Sequence, residues 1–268
     1  MVRNLMMWLL ALLLTVASAY YQRKTGPTYP RAGQADLDGS LIQYKLLRSY
    51  DRGDQPVVLQ APDPAVNAVL VYRRLNSRDD WTHKRMSRQG NALISSLPHQ
   101  PAGGKLEYYL KVEKGLDSLR IPADGRITTR FKGAVPAWAL LPHILLMFAA
   151  MLLSTRTALA AITGSRRLRA YVWWTVGLLI FGGMIFGPLV QKFAFGDLWT
   201  GFPFGYDLTD NKTLIVLISW LWALWAIYKS PHPKRWILIA AAATLVVFII
   251  PHSLFGTELD YRQTPASR

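Results

Sequence analysis

The sequence predicts an α+β membrane protein: an exported antiparallel β-sandwich followed by a four-helix transmembrane bundle. Apolar residues make up 51% of the 268-residue chain. In its second half they gather into runs at 137–162, 170–191, 214–228 and 236–254, three of which approach or exceed the ~18 to 20 residues that cross a bilayer as a helix. Residues 40–131 read differently. There short strand-like segments are punctuated by Gly and Pro, the pattern of paired strands.

Residues 1–22 open with Arg3, continue through the apolar run Leu5 to Val16 and end near Ala17-Ser18-Ala19. That is a secretory signal pattern with a small-residue cleavage site. An uncleaved N-terminal anchor is the alternative, with cleavage the favoured reading. Residues 23–39 are rich in Pro, Gly and charge and read as a linker.

The exported domain spans 40–135. Its clearest strand-like runs are 41–46, 66–72, 91–94, 105–112 and 127–131, with Pro62, Pro64, Gly90, Pro101, Gly103, Gly104 and Gly125 between them. One alternating set among Leu70, Tyr72, Leu106 and Tyr108 should be buried, and Trp81 and Tyr109 are expected in the core. Tyr72-Arg73-Arg74, Trp81, Met86, Gly90, Leu97-Pro98 and Glu107-Tyr108-Tyr109 together resemble a fibronectin type III-like domain. That resemblance implies a fold and no chemistry, since such sandwiches serve to dock or bind partners.

The bundle spans 136–254. Arg166, Arg167 and Arg169 lie between its first two runs, and Lys229, Lys234 and Arg235 lie between its last two. Neither connection contains an acid, as expected of cytoplasmic loops. The sandwich, the loop 192–213 and the tail 255–268 are then external, giving a multi-pass protein of the cytoplasmic (inner) membrane. The net charge of +15 is placed by this topology rather than by a basic patch, so no nucleic-acid partner is expected. Cysteine is absent, which excludes disulfides, thiolate metal sites and thioether haem attachment.

Of five histidines, His83, His99 and His232 are expected at the surface, whereas His143 and His252 lie in or at the end of apolar runs. Ionisable residues there are rare and usually functional. His143 is about 7 Å inside Trp138 at 1.5 Å per residue, and His252 is about 24 Å beyond Trp236, which gives the two similar depths. Two such histidines can ligate one iron, or each can bond a carbonyl. Between them the loop mixes Trp199, Phe202, Phe204 and Tyr206 with Asp197, Asp207 and Asp210 and with Gly201 and Gly205. It reads either as a cover for a flat ligand or as an aromatic belt.

Pro142-His143-Ile144-Leu145-Leu146-Met147, the glycine-bearing stretch Gly177 to Gly187, Phe204-Gly205-Tyr206-Asp207, the run Thr213 to Leu221 and His252-Ser253 occur in an instructive order. The bundle resembles the haem-handling membrane proteins of cytochrome c biogenesis, the CcsA and CcmC type. That resemblance implies haem b held by His143 and His252 as axial metal ligands, with Trp199, Phe204, Gly205, Tyr206 and Asp207 covering it. The loop carries one Trp where the family has several, and Leu208 to Asn211 stand as an insertion, so ligase activity is not implied. No Gly-rich phosphate motif occurs and no triad can be argued, so no reaction is assigned. The alternative function is a non-enzymatic membrane scaffold or sensor whose sandwich binds an envelope protein partner.

Overall fold

The computed structural model describes residues 2–251 together with Leu259 and Tyr261. Contacts divide the chain into a helical unit, residues 1–27 and 135–257, and a β unit, residues 28–134 and 258–268. The fold is mixed α+β. His252 lies outside the described residues.

Two sheets build the β unit. In the first, β1 (Arg31–Leu37), β2 (Ser40–Leu46), β4 (Gln55–Gln60), β8 (Ala92–Leu97) and β7 (Ser87–Gln89) pair antiparallel in that order. The second runs β3 (Ser49–Tyr50), β11 (Ile127–Phe131), β9 (Lys105–Lys114), β5 (Asn67–Arg74) and β6 (Thr82–Arg85), with β10 (Asp117–Ile121) also on β9. The β3–β11 pair is parallel and the others are antiparallel. Each of the five predicted runs overlaps a strand. The stretch 23–39 is not the expected linker, because helix carries the chain to Thr25 and β1 begins at Arg31. β1 folds onto β2 through Asp38-Gly39, with φ of 49° and 74°, the left-handed pair that an Asp-Gly hairpin turn supplies.

One core draws on both sheets. Ile42, Leu46, Val57, Leu59, Leu93 and Leu97 from the first meet Leu70, Leu106, Tyr108, Leu110, Val112 and Phe131 from the second. The alternation in β9 is as expected, with Leu106, Tyr108 and Leu110 pointing inward. Tyr109 therefore cannot join them, and neither it nor Trp81 belongs to the core. The two rings meet edge to face at 5.5 Å, and they sit in a layer of cations. The guanidiniums of Arg73 and Arg126 lie 4.5 and 4.9 Å from the Trp81 ring, and Arg120 lies 3.8 Å from Tyr109. Glu107, of the same strand parity as Tyr109, is buried there and accepts from Arg73 Nε at 2.5 Å and Arg126 Nη1 at 2.9 Å. Burial pushes its carboxyl up, but the two arginine hydrogen bonds outweigh this and hold it below the usual value.

Part of the expected external tail belongs to the β unit. Tyr261 is buried, its hydroxyl donates to Gln100 Oε1 at 2.9 Å, and Leu259 N donates to Gly103 O at 3.3 Å. Arg74 lies 5.0 Å over the Tyr261 ring. Gly104 has no room for a Cβ because the Tyr261 hydroxyl occupies that space.

The helical unit contains α1 (Val2–Thr25), α2 (Ala137–Thr163), α3 (Leu168–Leu179), a π-helical segment Ile180–Phe186, α4 (Gly187–Phe195), α5 (Leu208–Lys229) and α6 (Pro233–Ile249). Among the described residues four helices are long and apolar enough to cross a membrane: α1, α2, the continuous helix Leu168–Phe195, and α5. α6 has 17 residues, about 25 Å, and is shorter than the predicted 236–254 run. Pro251 explains the early stop, because it disfavours helical backbone at Ile250, which is extended with ψ 122°. The packing differs from expectation in one element: α1 lies against α2 and α6, so the bundle includes the N-terminal helix.

Asp63 supplies an acid-sensitive contact in the β unit. It accepts from Ser40 Oγ at 2.5 Å and Ala65 N at 2.9 Å and pairs with Lys114 at 3.2 Å. The Ser40 hydroxyl first, then the Ala65 amide and Lys114, hold its carboxyl down at about 2. A depressed folded-state pKa contributes stability that is present above the unfolded value, about 4, and is lost as pH falls through about 2. Amide-exchange protection of β2 and β9 in the full chain should weaken across that window. Asp63→Asn should reduce protection at pH 7 and flatten its dependence between those two values.

Candidate functional site

Those predicted site residues that are described lie on α2 and on the loop between α4 and α5, toward the end of the helical unit where α2 and α5 begin and α1, α4 and α6 finish; His252 is not among the described residues. Trp138 of α2 packs edge to face on Phe193 of α4 at 5.7 Å. Gln22 of α1 and Lys212 of α5 both donate to Ile250 O, at 3.1 and 3.0 Å, and Lys212 reaches Pro251 O at 3.4 Å. Lys212 is 3% exposed, so these carbonyls at the negative end of α6 are what its ammonium faces.

His143 is half-buried on α2, one residue after Pro142. Its Nδ1 lies 2.8 Å from Gly182 O, in the π-helical segment, where widening of the helix redirects backbone carbonyls. A carbonyl only accepts, so Nδ1 carries the proton and the neutral ring keeps its lone pair on Nε2. The two glycines of this segment are steric necessities. A Cβ at Gly182 would lie 2.8 Å from Leu146 Cβ, and one at Gly183 would lie 2.7 Å from Thr213 Cγ2. The glycine-bearing stretch in the sequence is thus the place where this helix approaches α2 and α5.

The loop between α4 and α5 is built around Asp210, which the sequence reading named only as one of three acids. Asp210 is 6% exposed. Its Oδ2 accepts from Thr200 N at 2.6 Å, Gly201 N at 3.0 Å, Gln191 Nε2 at 3.0 Å and Thr200 Oγ1 at 3.3 Å. Asn211 Oδ1 accepts from Phe202 N at 2.7 Å. Asp207 caps α5, its Oδ1 receiving Thr209 N at 2.8 Å and Asp210 N at 3.3 Å. Gly201 sits where a Cβ would meet Asp210 Cβ at 2.6 Å, and Gly205 lies against the Thr200 carbonyl with no space for one. Asp207, Asp210, Gly201 and Gly205 are therefore the framework of the loop, whereas Asp197 is exposed.

That framework directs the aromatic residues. Trp199 is partly buried and its Nε1 donates to Phe202 O at 3.1 Å. Phe202 is exposed, Phe204 is 82% exposed and Tyr206 is 95% exposed. His83, His99 and His232 are exposed, as expected. Among the described residues no group of three or more His, Cys, Asp or Glu side chains is placed to hold a metal ion.

In the β unit, a cavity of about 360 Å³ is lined by Arg73, Arg74, Asp79, His99, Gln100 and Tyr261, among others. Its charges are answered from within, since Arg74 grips Asp79 through Nε at 2.6 Å and Nη2 at 2.8 Å.

No family model matches the chain, and no curated protein matches it.

The loop framework has a direct test. Asp210→Ala leaves two buried amides without their acceptor, a loss of roughly 2–4 kcal/mol in local stability. Limited proteolysis within 196–207 should accelerate while the helices stay intact. Gly201→Ala, which forces the same loop apart by collision, should give the same cleavage sites.

Proposed function

We propose that this is a multi-pass protein of the cytoplasmic membrane that works as a docking scaffold, with its β unit, a fibronectin-like sandwich, outside the cytoplasm. The basic connections 164–167 and 230–232 with their flanking Arg169, Lys229, Lys234 and Arg235, free of Asp and Glu, support this orientation. The observation that carries the docking role is the loop. A buried carboxylate fixes its backbone, yet Phe202, Phe204 and Tyr206 are exposed. Side chains so displayed add nothing to the packing of this chain. Their ordering entropy is already spent on a fixed backbone, which is how aromatic anchors bind tightly. The fitting partner is an envelope protein with an apolar groove at the membrane surface. A photo-crosslinking residue at position 204 or 206 should give a discrete protein adduct in cells, and Gly201→Ala should abolish it. Adducts with lipid alone would reduce the loop to an interfacial belt and remove this reading.

A second reading, haem binding, is favoured by His143. Its Nδ1 is held by a backbone carbonyl and Nε2 is left as the donor atom, the arrangement that orients metal-ligating imidazoles. α2 and α6 also pack against each other, which suits a ligand from each end. On this reading His143 and His252 hold haem b, which would supply redox or transport chemistry when bound. Purified protein supplemented with haem should show a Soret band that is lost in both His143→Ala and His252→Ala. A colourless preparation removes this second reading and leaves the scaffold untouched.

A further inference from the structure

Arg156 is the one formally charged side chain of α2. It lies about 10 Å before the end of that helix at 1.5 Å per residue and is 3% exposed. No Asp or Glu pairs with it among the described residues. Its Nη2 donates to Asn4 Oδ1 at 2.6 Å. Its guanidinium carbon lies 5.4 Å from the Trp8 ring and 5.1 Å from the Tyr171 ring, and those rings meet edge to face at 6.2 Å. Nε and Nη1 reach no hydrogen-bond acceptor, so the aromatic faces are what stabilise the rest of the charge.

Asn4 and Trp8 both belong to α1, the segment that reads in sequence as a removable signal. Without α1 the guanidinium would lose Asn4 and Trp8 and, of these partners, keep Tyr171 alone. A buried charge deprived of its partners is strongly destabilising. The rest of α1 is also built in. Ala11, Thr15 and Ser18 are buried, and Gln22 donates to Ile250 O at 3.1 Å. The small-residue motif Ala17-Ser18-Ala19 is helical, with the helix continuing to Thr25. Proteases cleave chain that can be drawn into an extended form, and these bonds lie well inside a hydrogen-bonded helix.

We infer that α1 is a retained element of the helical unit, whose Asn4 and Trp8, with Tyr171 of α3, hold the buried Arg156 of α2, and that the motif at 17–19 is not processed. The inference depends on neither the docking nor the haem reading. Intact mass of the full chain purified from membranes should include residues 2–25, and a mass lacking residues 1–19 would overturn it. The role of Arg156 has its own test. Trp8→Ala combined with Asn4→Ala should lower the thermal midpoint by roughly 10 °C with Arg156 present. In an Arg156→Leu background the same pair should shift it by about a third of that or less, because leucine needs no counterpart. Equal shifts in the two backgrounds would show that α1 contributes only packing and would overturn the role given to Arg156.

Discussion

Among the described residues of the helical unit, three charged side chains are buried, Arg156, Asp210 and Lys212, and each must find its partners inside the chain. That requirement organises the unit more specifically than its apolar surface does. Hydrophobic burial is non-directional, so it brings helices together without choosing which one lies beside which. A guanidinium between two rings and an amide, a carboxylate under two backbone N–H groups, and an ammonium at a helix end each admit few arrangements. Arg156 selects α1 and α3 as neighbours of α2. Asp210 folds the loop back onto α5. Lys212 and Gln22 close the end of α6 against α5 and α1.

The β unit solves a related problem in its own way. Its core is shared by two sheets and is apolar apart from the hydroxyl of Tyr108, which donates to Leu47 O at 2.8 Å. On the opposite face of the second sheet, the chain places Glu107 among arginines and aromatic rings. A domain without disulfides gains a second ordered layer from this arrangement, because the cations cover the rings while their charges are answered by one buried carboxylate.

The candidate site inherits its character from the same constraints. Gly182 and Gly183 let the π-helical segment close on its neighbours, and the Gly182 carbonyl, which also accepts from Gly187 N, is the one His143 meets. Asp210, Gly201 and Gly205 compact the loop, and this leaves Phe202, Phe204 and Tyr206 exposed. The helical end thus combines an imidazole with a fixed tautomer and a rigid aromatic display. These are properties of the backbone arrangement as much as of the side chains that carry them.

Periodicity in the sequence determined the mixed fold, five of the strands, the apolar helices and the inward set of β9, since burial of one face leaves its mark every second or every fourth residue. The stretch 23–39 read as a linker because it is charged and rich in Pro and Gly, although Asp38-Gly39 turns a hairpin there. The partners were decided by tertiary structure alone. Trp81 and Tyr109 read as core because aromatic residues usually are, but strand parity and three arginines distant in sequence put them on the other face. Asp210 was one acid among three until Thr200, Gly201 and Gln191 converged on it. A leader and a structural helix share the same hydropathy, and contacts such as that of Asn4 with Arg156, about 150 residues away, are not written in the hydropathy of α1. Local pattern records which face of an element is apolar. It cannot record which distant polar group that element must satisfy, because that pairing exists only once the chain has folded.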